Sequence, residues 1–224
     1  MTAPLPLPTV TPWRRHVEYW KDCRACGLCE QRDRICLARG TIPCTVLFIG
    51  EAPGASENAI GQPFVGPAGQ LLDKIIERAL PKGITYALTN LVACFPAEAK
   101  AEGINEPTAQ EIIACRPRLI EFVNVCEPKM IVCVGKLATA YINHNDYIPC
   151  TDIVHPAAIL RMPLAQKQMA VQRAVVTVCR ALEDVLGQPH RAFTPWGKSY
   201  ASLQATNRKQ PLSRLADYDN DPPF

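Results

Sequence analysis

The 224-residue chain shows neither a long apolar run nor a basic opening segment followed by an apolar one. No run of apolar residues approaches the roughly 18 that mark a membrane span, so none is expected. The opening residues Met1-Thr2-Ala3-Pro4-Leu5-Pro6 carry neither a basic segment nor an apolar core, so no secretory signal is expected. Charge of one sign is not in excess. The 24 Lys and Arg against 21 Asp and Glu leave a net +3, which permits nucleic-acid binding without arguing for it. The phosphate-cradling signatures are missing as well: no GK[ST] follows the glycine-rich loop, and GxGxxG does not occur. No internal repeat is visible. With 48% hydrophobic and 20% charged residues, the chain reads as a globular domain with enough length for a real core.

Cysteine and proline are plentiful. Eleven cysteines, an odd number without a signal peptide, fit a secreted disulfide scaffold poorly. Reduced thiols in a cytosol, some of them binding a metal or cluster, fit better, and a cytoplasmic location is expected. The 21 prolines are nearly twice the usual share of ~5%, and many sit at the two ends. Residues 1–19 read as a lead-in, 20–186 as the folded domain, and 187–224 as a Pro-rich, mobile tail in which five basic residues oppose Asp217, Asp219 and Asp221.

Within the domain, residues 13–21 fit a short helix, and 45–49 form a compact apolar run ending at Gly50. Residues 50–69, rich in Gly and Pro, predict a shaped loop. Apolar residues at 68, 71, 72, 75, 76, 79 and 80 have helical spacing, stopped by Pro81 and Gly83. A strand is predicted over 86–93. A polar loop follows over 95–108, then a helix from 108 towards 127 in which Pro117 predicts a break or kink. Strands at 129–134 and 152–154, a short helix at 136–143 and a long one at 164–186 complete the pattern. Alternating strands and helices mean an α/β fold with a largely parallel sheet, whose chemistry sits in loops at the carboxyl ends of the strands. Those loops begin at Gly50, Cys94 and His155.

Three groups of residues carry chemistry. Cys23 and Cys26 form a CxxC, and Cys94 and Cys115 can complete four sulfur ligands. The spacing fits zinc, an iron–sulfur cluster or plain buried thiols alike, and Cys29 competes with the CxxC pair. Cys126, Cys133 and Cys179 fall on apolar positions and read as core; Cys36, Cys44 and Cys150 have no assigned role. The loop Gly50-Glu51-Ala52-Pro53-Gly54, with Glu57 and Phe64 beyond it, fits a pocket wall for a planar ligand, or else a structural turn with solvated glutamates. His155, at a strand end beside Pro156, fits either a substrate contact or a structural histidine.

In order along the chain stand GEAPG, GQPFVGPAGQLLD, TNLVAC, ACRP, KMIVCVG and HPAAILR. Over about residues 20–186 this resembles the iron–sulfur-containing family 4 of the uracil-DNA glycosylase superfamily. The resemblance implies a three-layer α/β/α sandwich with a central, mostly parallel four-stranded sheet, and a monofunctional glycosylase that flips uracil out of DNA and leaves an abasic site. It implies a [4Fe–4S] cluster, rather than zinc, on Cys23, Cys26, Cys94 and Cys115. It implies that Phe64 stacks on the flipped base, that Asn90 reads its Watson–Crick edge and that His155 donates to its O2. Glu51, Ala52, Pro53 and Gly54 would shape the site near the sugar, Glu57 would help position water, and Pro156 and Arg161 would enter the duplex. DNA is the implied partner, with no nucleotide cofactor and a monomeric protein.

The chain also departs from the family. Asn58 stands where an acidic residue is usual, the connection from Cys94 to Cys115 is long, the stretch over 143–152 is short, and Val154 replaces a common aromatic. Relatives that trap abasic DNA covalently have Gln at the Ala52 position and an extra basic loop, both missing here, so covalent capture is not expected. The amide of Asn90 suits uracil in one orientation and cytosine in the other. Two other functions therefore stay open: excision of a modified cytosine, as in phage DNA, with a role in defence, and a non-catalytic DNA-binding or replication-associated protein.

Overall fold

The computed structural model describes residues 10–97, 106–142 and 148–187. Residues 1–9 of the lead-in expected over 1–19 and 188–224 of the mobile tail expected over 187–224 fall outside the described residues, as do 98–105 of the long Cys94–Cys115 connection and 143–147 ahead of the last strand.

The elements in chain order are α1 (Pro12–Trp20), α2 (Leu28–Gln31), β1 (Arg39–Gly40), β2 (Val46–Gly50), α3 (Ala55–Ile60), α4 (Pro67–Ala79), β3 (Tyr86–Asn90), α5 (Ala109–Cys126), β4 (Met130–Val134), α6 (Lys136–Ile142), β5 (Cys150–Ile153), α7 (Pro156–Leu160) and α8 (Leu164–Gly187). The sheet order is β1-β3-β2-β4-β5. β3, β2, β4 and β5 are parallel, and β1 joins antiparallel at the edge, Arg39 opposite Leu88. The four expected strands are thus present, and a fifth, two residues long, is added beside them. A two-residue strand leaves no period to read.

Why the sheet is buried on both faces follows from its central strands. β2 and β4 are apolar along their whole length, as parallel strands covered by helices on either side must be. Alternate residues serve opposite layers. Leu47, Ile49, Ile131 and Cys133 pack with Ile112, Leu119, Phe122 and Ile142 of α5 and α6. Val46, Phe48, Met130 and Val132 pack with Leu72, Ile75, Ile76, Val178 and Leu182 of α4 and α8. This is the expected α/β/α sandwich.

Helix ends follow their sequence signals. Pro67 opens α4 at its first turn. At α5, Thr108 Oγ1 accepts from the Glu111 amide at 3.2 Å and Glu111 Oε2 accepts from the Thr108 amide at 2.6 Å, a reciprocal cap. Of the break or kink expected at Pro117, the break does not occur: α5 runs through it to Cys126, and Glu127 beyond turns left-handed with φ 47°. Cys126 and Cys133 lie in the core as expected.

Candidate active site

Four parallel strands end on one side of the sheet, and the segments that follow them gather there. Gly50 closes β2 and stands in register with Asn90, which closes β3. A Cβ on Gly50 would overlap both Phe64 Cζ and Asn90 Oδ1. Ring and amide therefore converge over bare backbone, and only glycine leaves room for them. Asn90 and Phe64 are 2% and 6% exposed.

The loop that carries Phe64 is held under tension. Phe64 has φ 58°, a left-handed conformation that a bulky residue adopts only when its surroundings impose it. Arg39 on β1 provides much of that restraint. Its Nε donates to the Pro63 carbonyl at 2.8 Å, and Nη2 donates to the Phe64 carbonyl at 2.9 Å and to Asp73 Oδ1 at 2.6 Å. Glu57 braces the same loop from inside. Oε1 accepts the amides of Val65 and Gly66 at 2.9 and 2.8 Å, and Oε2 accepts that of Gly54 at 3.2 Å. Both oxygens of Glu57 thus serve the backbone. The segment expected to be loop throughout contains α3, on which Glu57 and Asn58 sit.

Asn58 is buried and turned towards the segment after α2. Its Oδ1 accepts the Asp33 amide at 2.8 Å, and its Nδ2 donates to Asp33 Oδ2 at 2.6 Å. Of the other loop residues, Pro53 is buried, while Glu51, Ala52 and Gly54 are half-buried. The Glu51 carbonyl accepts the Val92 amide at 3.2 Å, which ties the end of β2 to the chain beyond β3.

His155 follows β5 and caps α7. Its Nδ1 accepts the Ala157 amide at 3.2 Å, so the ring's proton lies on Nε2, which becomes the free donor. Burial lowers the pKa of His155, and the Arg161 charge lowers it further. The ring is therefore a neutral donor at neutral pH. Behind it, a Cβ on Gly135 would come within 2.9 Å of His155 Cβ, so glycine at the end of β4 lets the histidine sit close. Pro156 is buried at the first turn of α7, whereas Arg161, Val154 and Leu160 are exposed around it.

Cys23, Cys26, Cys94 and Cys115 line one pocket on the α5 side of this site, together with Cys29, Trp20, Arg32 and Arg118. Burial raises the pKa of Cys26 to about 11, and negative charge on Cys115, Cys94 and Cys23 raises it too, so the four sulfurs sense one another. Burial likewise raises Cys23 and Cys94, the latter partly offset by Arg32. Arg32 Nη1 donates to Cys94 Sγ at 2.9 Å while its Nη2 holds the Cys23 carbonyl at 2.8 Å. Among the described residues no three His, Cys, Asp or Glu side chains meet closely enough to hold a single metal ion. The thiols instead line a common space.

Sequence reasoning singled out Phe64, Asn90 and His155, and the structure gathers Phe64 and Asn90 at one strand end and His155 at another. It missed Arg32, Arg39, Arg118 and the packing role of Gly135. Three isolated arginines in no period leave no signal. Only Gly135, which directly follows a buried strand, could have been suspected.

The sequence model for the uracil DNA glycosylase superfamily matches residues 38–178, a span that begins after Cys23 and Cys26. The chain is 35% identical over 121 residues to a type-4 uracil-DNA glycosylase of Pyrobaculum aerophilum, covering 54% of this chain and 59% of that protein. It is 36% identical over 121 residues to one of Sulfurisphaera tokodaii, covering 54% and 53%. With one of Thermotoga maritima it shares 29% over 133 residues, covering 59% and 67%. The chain spans a little over half the length of the first two of these relatives.

Proposed function

This chain belongs to the uracil DNA glycosylase superfamily, and from that premise we propose that it is a monofunctional DNA glycosylase that releases uracil from DNA and leaves an abasic site. A base inside a duplex is out of reach, so the nucleotide is flipped out at a cost of a few kcal/mol. Phe64 offers the flipped base a ring to stack on, a contact that contributes about 1–3 kcal/mol and tolerates any base. Selection then falls to Asn90, whose amide pairs with the Watson–Crick edge.

The observation that carries this reading is the hydrogen bond that His155 Nδ1 accepts from the Ala157 amide. With Nδ1 occupied by the Ala157 amide, Nε2–H is free to donate. Breaking the N-glycosidic bond leaves negative charge on the base and positive charge on the sugar. A neutral donor fixed at the base oxygen O2 stabilises that anion most as it forms. Glu51 supplies negative charge on the sugar side, with Ala52, Pro53 and Gly54 shaping the wall there. We assign Glu57 to holding the loop amides that face the sugar and its attacking water. Pro156 and Arg161 bring α7 to the duplex, where exposed Leu160 meets the gap left by the flipped base.

Cys23, Cys26, Cys94 and Cys115 would hold the [4Fe–4S] cluster that the family resemblance implies. When bound, it would supply iron–thiolate bonds that tie the segment after α1 to the end of β3 and to α5. Arg32 would donate to one of its sulfurs, as partners of metal ligands commonly do.

The test is alkali-sensitive scission of a uracil-containing oligonucleotide after incubation with the protein, beside a cytosine control. Scission at uracil alone supports the assignment. An uncut strand from folded protein would turn the assignment to a bulkier cytosine derivative, and modified phage DNA would be the next substrate.

A further inference from the structure

Arg118 lies inside the protein, 1% exposed, in the middle of α5. Its guanidinium spans three acceptors at once. Nη1 donates to Thr89 Oγ1 at 2.9 Å, and Nη2 donates to the carbonyl oxygens of Asn90 at 2.6 Å and Leu91 at 2.9 Å. All three acceptors belong to the end of β3 or the residue after it, the strand that presents Asn90 to the site. Thr89 passes the restraint on, donating from Oγ1 to the Leu37 carbonyl at 2.7 Å. Arg118 also lines the thiol pocket, one turn after Cys115 on the same helix.

Burying a cation costs several kcal/mol unless it is paired and hydrogen-bonded. Helix packing alone would be served as well by methionine, which has similar reach and no charge to desolvate. The guanidinium contributes a rigid planar fork that fixes acceptors in a set geometry. Here the fork reaches the base-reading residue from behind, through its backbone, where no substrate atom can come.

We propose that Arg118 is a positioning residue for base recognition. It holds the Asn90 backbone so that the amide meets the flipped base at one height, and it links that height to the helix that carries Cys115. The proposal rests on the reading of Asn90 as the base-reading residue.

The experiment compares the whole protein with Arg118→Lys, with Arg118→Met, and with Arg118→Met combined with Glu121→Gln. Buried Glu121 is one turn further on, and changing both residues removes the two opposite charges together. Glutamine keeps an acceptor for Trp20 Nε1, which donates to Glu121 at 2.7 Å. Three quantities are read: the single-turnover rate of uracil release from a duplex, the Kd for the abasic product duplex, and the melting temperature. Displacing a recognition group by about 1 Å costs on the order of a hundredfold in rate. Both Met variants should lose about that much, with Kd unchanged and with the melting temperature of the double variant preserved. Arg118→Lys, which keeps the charge and reaches fewer acceptors, should recover part of the rate. A folded double variant with the rate of the unaltered protein would overturn the proposal. So would a parallel fall of rate, binding and melting temperature, since that marks a purely structural residue. Failure of the unaltered protein to release uracil would defeat the glycosylase reading itself, and with it this role.

Discussion

In the role proposed for it His155 acts as a neutral ring, and that role fixes how the reaction should respond to acid. Burial and the Arg161 charge both lower its pKa, so the ring gains its proton only below the ordinary histidine value of 6.5. We expect uracil release to hold through neutral pH and to fall only on the acid side. In Arg161→Gln one of the two causes is gone, so the pKa rises and the acid limb of the pH–rate profile moves to higher pH. An unmoved limb would remove Arg161 from the electrostatics of the site. Removing the donor outright is a larger change. His155→Ala should slow base release about 10²–10³-fold while leaving DNA affinity intact in a gel-shift assay. At this scale the sequence was most readable where several residues of a motif stand together, as around Phe64, Asn90 and His155. Arg39 and Arg118 were unreadable because each acts across the fold on carbonyl oxygens, and a carbonyl has no letter of its own.

Among the elements, α3 and the segment after α2 depend on one amide. Asn58 is both donor and acceptor for Asp33. The acidic residue usual in the family at this position would set two carboxylates face to face and would lose the donor. Asn58→Asp should therefore lower stability by about 1–3 kcal/mol, read as a lower urea midpoint with an unchanged slope. An unchanged midpoint would show that the two side chains part without loss. Strands and long helices were legible because buried parallel strands are apolar runs and α4 keeps its period across Leu72, Ile75, Ile76 and Ala79. Neither β1 nor α3 was. The first is two residues long, and the second is hidden among glycines and prolines whose usual meaning is loop. Pro117 does not end α5: packing of Leu119, Phe122 and Val123 against the sheet outweighs the hydrogen bond that proline cannot make.

Among the described residues two histidines have a lowered pKa, the fully buried His16 and the half-buried His155. Burial is the first cause for His16, and the Arg118 charge adds to it, against the opposing pull of Glu121 at 3.1 Å. Above the ordinary value of 6.5 the folded and unfolded chains both hold these rings neutral, and stability is complete. As the pH falls through that value the unfolded chain takes up protons that the folded chain refuses, so stability is lost. The melting temperature should accordingly be lower at about pH 5.5 than at about pH 7.5, with a smaller difference in His16→Gln. Equal differences in the two proteins would place the titration elsewhere. Residues of α1, of α5 and of the stretch after β3 line the thiol pocket, so on the proposed cluster assignment Cys94→Ser should give colourless, iron-poor protein that melts earlier. A colourless variant with full stability and full activity would contradict the cluster assignment.

Mass spectrometry of a uracil-containing duplex after reaction is the sharpest test of the proposed glycosylase activity, because it weighs both products. We expect free uracil, a strand lighter by the base and heavier by a hydroxyl at that one position, and no strand linked to protein. An intact strand from folded, iron-loaded protein, or loss of a base other than uracil, would contradict the proposal.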